Sequence, residues 1–281
     1  MTRLSTASKI FGLYRLYRLP LALMNGTAAL GGYLLYRAPA EPAAAVLLFA
    51  GVTLTACAAS ALNQVLERDL DALMRRTRMR PLPAGELPPA GGVLIALTTL
   101  VSGSLLLAGC GGLTPLLLAF VTLFWYLLLY TPLKRRTPFA LLVGAVCGAL
   151  PPLIGWSAAG GAVVDFRIVL LCGILYLWQV PHFWMLQRRH AEDYRSAGLP
   201  LFAPQSFRGP APFLILWLSA MIAATLMLPV FGLIAGSSAP LWCLAFCVPL
   251  LLYPFERWES AALVGVNIFP ALLTLALYTT P

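Results

Sequence analysis

The stretch NQVLERDLDALMRRTRMRPLPAG, residues 63–85, follows directly on an apolar run and carries Glu67, Asp69 and Asp71, then Arg75, Arg76, Arg78 and Arg80. Asn63, Glu67 and Asp71 recur every four residues. In a helix such a series drifts by only ~40° per step and lines one face for about 12 Å. One amide and two carboxylates are hard oxygen donors, the kind Mg²⁺ takes while keeping waters for a phosphate ligand. The basic residues that follow within about two turns could meet phosphate oxygens directly. An ordinary solvated loop, with acids and arginines paired to little effect, is the alternative. Acids that begin inside an apolar run and continue outward at regular spacing favour a functional site, because they are expensive to keep there.

Working outward, the 281 residues are 60% hydrophobic and 10% charged, against about 25% charged in an ordinary soluble domain. The composition points to an all-α integral membrane protein. Long apolar runs without period-two alternation favour helices over a barrel, since each span must satisfy its own backbone. Nine transmembrane helices are expected, near 20–36, 43–65, 91–109, 113–131, 139–157, 167–186, 211–231, 239–255 and 261–279. Only Gly109, Gly111 and Gly112 punctuate the junction of the third and fourth, so eight is the competing count.

Charge placement favours nine. With the N-terminus cytoplasmic and the C-terminus outside, only Arg37 and Arg167 of the 19 basic residues fall on the outer side, as the positive-inside rule requires. The +9 net charge therefore reports topology. Nucleic-acid binding is not expected, because the bases are divided among membrane loops without interleaved aromatics. The six cysteines lie in or beside apolar runs with no CxxC pair and read as packing residues. The acid-free first twenty residues lead straight into span 1 and read as a short cytoplasmic lead rather than a transit peptide.

Nearly all remaining charge falls after spans 2, 4 and 6, so the working face is cytoplasmic. The loop after span 4 reads YTPLKRRTP, with Tyr130 and Thr131 ahead of Lys134, Arg135 and Arg136. Alone it is a topology signal; beside the first loop it would add cations to one site. Pro151 and Pro152 break hydrogen bonding within span 5. The segment WQVPHFWMLQRRHAEDYRSAGLP, residues 178–200, carries Pro181, expected to kink span 6 near Gln179 and His182, and then Glu192 and Asp193. A histidine in a span marks function or is satisfied by a neighbouring carbonyl. Acidic segments after spans 2 and 6 hint at a pseudo-repeat within one domain, 1–281.

These residues together resemble the UbiA superfamily of intramembrane prenyltransferases, and within it the haem-directed branch. The resemblance rests on Asn63, Glu67, Asp71, Met74, Arg76, Thr77, Arg80 and Pro81; on Tyr130, Thr131, Leu133, Lys134, Arg135 and Thr137; on Ala149, Pro151, Pro152, Gly155 and Trp156; and on Trp178, Gln179, Pro181, His182, Phe183, Asp193, Tyr194, Ala197, Gly198 and Pro200. Glu67 stands where the superfamily commonly has Asp, and Ala140 where an Asn is expected.

The resemblance implies a UbiA-like bundle in the bacterial plasma (inner) membrane. It implies Mg²⁺-dependent transfer of a farnesyl group from farnesyl diphosphate to a vinyl group of haem b, giving haem O. Asn63, Glu67, Asp71 and Asp193 would hold Mg²⁺, and Asn63, Glu67, Asp71 and Lys134 would be catalytic. Arg76, Arg80, Lys134 and Arg135 would bind the diphosphate. Gln179, His182, Asp193 and Tyr194 would face the acceptor. Implied partners are farnesyl diphosphate, haem b, the lipid bilayer, and proteins of haem A synthesis or oxidase assembly. An aromatic quinone precursor is the competing acceptor. A transporter is the competing class, since broken helices with polar groups also mark substrate paths, but the charges here crowd one side and leave span centres neutral.

Overall fold

A computed structural model describes residues 6–37, 41–201, 212–252 and 259–279, and among them it is helical with no strand. Arg3, Arg208 and Arg257, assigned above to the inner side, lie outside the described residues, as do the ends of two expected spans at 211 and 253–255. The helices are α1 (Thr6–Tyr17), α2 (Leu19–Leu35), α3 (Pro42–Leu66), α4 (Arg68–Leu73), α5 (Pro89–Gly111), α6 (Leu113–Phe124), α7 (Thr131–Leu133), α8 (Ala140–Ala149), α9 (Pro151–Ala158), α10 (Phe166–Arg189), α11 (Ala191–Ser196), α12 (Pro212–Val230), α13 (Ala239–Leu252) and α14 (Glu259–Thr279).

Five stretches are long and apolar enough to cross a membrane: α3, α5, α6 through α7, α8 through α9, and α10. Shorter apolar helices cover Leu19–Leu35, Ile215–Val230, Ala239–Val248 and Val266–Thr279. Each expected span thus falls on a helix or on two helices end to end. Their outward faces carry exposed Leu94, Leu105, Leu117, Val121, Val169 and Leu216, apolar surface that only lipid would cover without cost.

Local chemistry sets where the helices break. Pro151 cannot donate to the turn before it, and the helix of expected span 5 divides at Leu150 into α8 and α9. Pro181 lies inside α10, which runs without a break from Phe166 to Arg189. The expected fourth span contains a π-helical turn, Trp125–Tyr130, that composition did not foretell. Such wide turns re-aim side chains and cluster at functional sites. Here Tyr126 and Tyr130 come to stack, with ring centroids 5.7 Å apart.

Small residues bring the helices together, as expected where lipid removes the hydrophobic drive between them. A Cβ built on Gly103 of α5 would meet the Gly51 carbonyl of α3 at 3.0 Å. Helices α2 and α9 are closer still: a Cβ on Gly155 would overlap the Ala29 carbonyl and one on Gly32 the Pro152 carbonyl. Trp156, wholly buried, completes this contact, with Tyr36 edge-on to it at 5.2 Å.

The two acidic segments have the same local construction. Helix α3 ends at Glu67 with φ −114° and ψ 18°, and six-residue α4 follows. Helix α10 ends at His190 with φ −114° and ψ 27°, and six-residue α11 follows.

The close approach of α2 and α9 carries a test. Gly155→Ala should force them apart and lower stability by about 1–3 kcal/mol, the usual penalty of overpacking. Gly109→Ala, whose Cβ would meet only Leu47 at 3.9 Å, should change little. Thermal unfolding in detergent compares the two.

Candidate active site

A cavity of about 320 Å³ opens between α2, α3, α6, α8 and α10. Its polar end is lined by Arg18, Asn63, Glu67, Asp71, Arg76, Arg80 and Lys134, and its apolar end by Val52, Ala119, Ile154 and Leu175.

The polar end is built from the end of α3. Asn63, Glu67 and Asp71 are each no more than 3% exposed. Glu67 interrupts the helix, yet its N–H donates to the Asn63 carbonyl at 2.9 Å and Asp71 N–H donates to the Glu67 carbonyl at 2.8 Å. The four-residue repeat read in the sequence is therefore continued across the break.

Each carboxylate meets a cation from elsewhere. Lys134, after α7, is ion-paired and hydrogen-bonded to Glu67 Oε2 and sits 5.8 Å over the Tyr130 ring. Arg80 donates to Asp71 Oδ2 at 2.7 Å. Asn63 donates through Nδ2 to Thr131 Oγ1 at 3.1 Å, and Thr131 donates to the Tyr126 carbonyl at 2.9 Å. The π turn thus orients the Asn63 amide, leaving its carbonyl oxygen as the remaining donor atom. Thr77 Oγ1 donates to the Asp71 carbonyl at 2.9 Å and ties the arginine loop to α4.

Burial pulls the Lys134 pKa below the ordinary lysine value, and the Glu67 charge and hydrogen bond act against it. Burial likewise lowers Arg80, opposed by Asp71. Glu67 Oε1 is buried with no hydrogen-bond partner. A buried carboxylate oxygen without a donor is costly unless something binds it. The set of Asn63, Glu67 and Asp71 fits a hard divalent cation bound together with an anion. Among the described residues no three His, Cys, Asp or Glu gather at one point, so an ion here would take the amide, solvent or ligand oxygens besides the two acids.

The structure does not bring all the expected residues together. Arg135 is absent from the cavity lining; it grips Asp69 through two contacts of 3.1 Å and donates to the Leu66 carbonyl at 3.1 Å. Burial acts to raise the Asp69 pKa, but the Arg135 and backbone hydrogen bonds outweigh it and the net shift is downward. Asp193 also does not line the cavity. Its Oδ1 and Oδ2 accept from the backbone N–H groups of Arg75 and Arg76, each at 3.1 Å.

Tyr194, Gln179 and His182 do face the cavity. Gln179 donates to the Ala145 carbonyl at 2.9 Å and packs so tightly on Gly148 that a Cβ there would overlap it. His182 stacks on Trp178 with ring centroids 4.9 Å apart and an interplanar angle of 22°. Its Nδ1 is buried without a partner, while the Asn267 side chain hydrogen-bonds the imidazole.

Sequence reasoning missed Arg18, Asn25 and Tyr126 as lining residues. Arg18 joins α1 to α2 in the left-handed conformation, φ 48° and ψ 50°, an outlying backbone state for a non-glycine residue. The Leu19–Pro20 helix start after it was the available signal.

Among the described residues a helical bundle surrounds a cavity with a cation-lined mouth and apolar, aromatic walls, a site suited to an amphiphilic anion. Comparison with known proteins agrees. Residues 25–277 match the UbiA prenyltransferase family, and the chain belongs to that family. It is 55% identical over 265 residues to the protoheme IX farnesyltransferase of Geobacter sulfurreducens, covering 93% of this chain and 96% of the relative. It is 42% identical over 223 residues, 79% of each chain, to that of Oleidesulfovibrio alaskensis. A UbiA homolog from Archaeoglobus fulgidus solved with GPP and Mg²⁺ shares the fold at a TM-score of 0.68 and 17% identity, with 95% of this chain and 98% of that chain covered. The protein is an integral membrane prenyltransferase.

The two classes of ion pair separate by burial. Lys134→Met leaves Glu67, whose side chain is 3% exposed, without its cation and should destabilise by about 3 kcal/mol. Arg135→Ala removes an exposed pair and should change stability by under about 1 kcal/mol. Denaturant unfolding in detergent measures both.

Proposed function

We propose that this prenyltransferase moves a farnesyl group from farnesyl diphosphate to a vinyl group of haem b, with Mg²⁺, at the cytoplasmic side of the bacterial inner membrane. The protein is read as one domain, 1–281, with nine crossings, the N-terminus inside and the C-terminus outside. The distribution of basic residues and the nine apolar helices or helix pairs among the described residues support that topology. The matching breaks at Glu67 and His190 support the pseudo-repeat.

The observation that carries the donor half is the buried, unpartnered Glu67 Oε1 between Asn63 and Asp71, with Lys134 and Arg80 on the same carboxylates. A divalent cation held there supplies neutralising charge to the departing diphosphate. Asn63, Glu67 and Asp71 hold that charge at the mouth. Lys134, Arg80 and Arg76 give hydrogen bonds to the diphosphate oxygens as the allylic C–O bond breaks, and their fixed positions favour the charge that builds up there. Arg135, committed to Asp69, supports the mouth through α4. Arg18 adds a further cation at the same rim.

Past the mouth the walls are apolar and exclude water from the allylic cation. The stacked Tyr126 and Tyr130 rings present π faces suited to it. The vinyl group of the acceptor attacks C1 of the farnesyl cation to form the new C–C bond. Water then adds to the resulting centre and loses a proton, which leaves a hydroxyethylfarnesyl substituent. Trp178, Gln179, His182 and Tyr194 form the acceptor side, where the stacked indole and imidazole offer a flat platform for a macrocycle. The names of the bacterial relatives support haem as that acceptor.

Purified protein given labelled farnesyl diphosphate, Mg²⁺ and haem b should yield prenylated haem by mass spectrometry. A prenylated phenol or naphthoate formed instead, from a supplied quinone precursor, would overturn the acceptor. Asp71→Asn should lower turnover at least a hundredfold without loss of folded protein. His182→Ala should weaken haem use while leaving diphosphate affinity unchanged.

A further inference from the structure

We propose that Asp193 is a positioning residue of the transfer site: through the backbone amides of Arg75 and Arg76 it holds the arginine loop over the cavity. The inference rests on the reading that the cavity mouth binds a prenyl diphosphate.

Asp193 is buried, and its two carboxylate oxygens each accept from one of two successive amides at 3.1 Å. A carboxylate astride consecutive N–H groups fixes both peptide planes at once, and charge-assisted bonds of this kind are about twice as strong as neutral ones. Further contacts from α11 and the turn after it reach the same loop. Ser196 of α11 donates weakly to the Leu73 carbonyl at 3.4 Å, and Met74 packs with Ala197 and Leu199 in a small apolar cluster.

What the grip controls is on the same loop. From the Met74 carbonyl, which accepts from Thr77 and Arg78 N–H, the chain turns through Thr77 to Arg80, and Arg80 reaches Asp71. Arg76 and Arg80 line the cavity, whereas Asp193 does not. Asp193 therefore acts on the diphosphate at one remove. It joins the segment after α10 to the segment after α3, so the acid of the second segment sets the cations of the first. This differs from the ligand role that the sequence led one to expect.

The test compares wild type, Asp193→Ala, Asp193→Asn, Arg76→Ala and the Asp193→Ala/Arg76→Ala double variant. The quantities are KM for farnesyl diphosphate, kcat, the Mg²⁺ concentration for half-maximal rate, and amide hydrogen exchange in residues 70–80. Asp193→Ala should raise KM about tenfold, the scale of a lost charge-assisted hydrogen bond, and speed exchange at residues 75 and 76. Half-saturation by Mg²⁺ should not move. Asn, which keeps one accepting oxygen, should fall between Ala and wild type, and it decides the matter if the Ala variant does not fold. In the double variant the KM effects should be less than multiplicative. A shifted Mg²⁺ requirement, fully multiplicative effects, or an unchanged KM with wild-type exchange would each overturn the proposal. Absence of turnover in the wild type would overturn the farnesyl-transfer reading instead.

Discussion

The coupling of two buried carboxylates at one helix end to a lysine from a distant loop and an arginine from the adjoining one is the constraint on which the rest of this structure depends. Glu67 and Asp71 are nearly inaccessible, and buried charge is tolerated only when it is paired and hydrogen-bonded. Lys134 and Arg80 meet that need. In doing so they draw the segment after the π turn, and the loop after α4, onto the end of α3. The site is thus assembled by the requirement that its own acids be neutralised. The same pairs explain how a cation-rich mouth can stand ready for an anion: the lysine and arginine are held in place before the ligand arrives.

Below this mouth the bundle is ordinary membrane architecture. Glycines at 32, 51, 103 and 155 let backbones approach, and exposed leucines and valines face outward. The chamber needs two departures from straight helices. The proline pair divides α8 from α9, and the π turn brings two tyrosine rings into the wall between mouth and chamber. Tyr126 and Tyr130 of the π turn and Pro151 of the proline pair line the cavity, while Leu128 and Leu129 of the same turn are exposed on the outer side.

Much of this was legible in the sequence because the relevant signals are local. Long apolar runs gave the helices, and acids at four-residue spacing gave the face formed by Asn63, Glu67 and Asp71. The rest depends on contacts between residues far apart in the chain. Arg135 and Lys134 are neighbours with the same charge, and only the packing directs one to exposed Asp69 and the other to buried Glu67. Asp193 reads as a ligand by analogy with the first acidic segment, yet two backbone amides occupy it, and backbone groups leave no trace in side-chain patterns. Pro181 breaks the rule for helix interiors without interrupting α10. Arg18 reaches the cavity wall from a turn in the left-handed conformation, a placement that its charge alone does not announce.

The central claim, that Asn63, Glu67 and Asp71 bind a divalent cation jointly with a diphosphate, is tested most directly by calorimetric titration of a non-reactive farnesyl thiodiphosphate into the purified protein, with and without Mg²⁺. Binding should be strong with Mg²⁺ and at least tenfold weaker without it, and Glu67→Gln should remove most of the difference. Equal affinity with and without the ion in the wild-type protein would contradict the account.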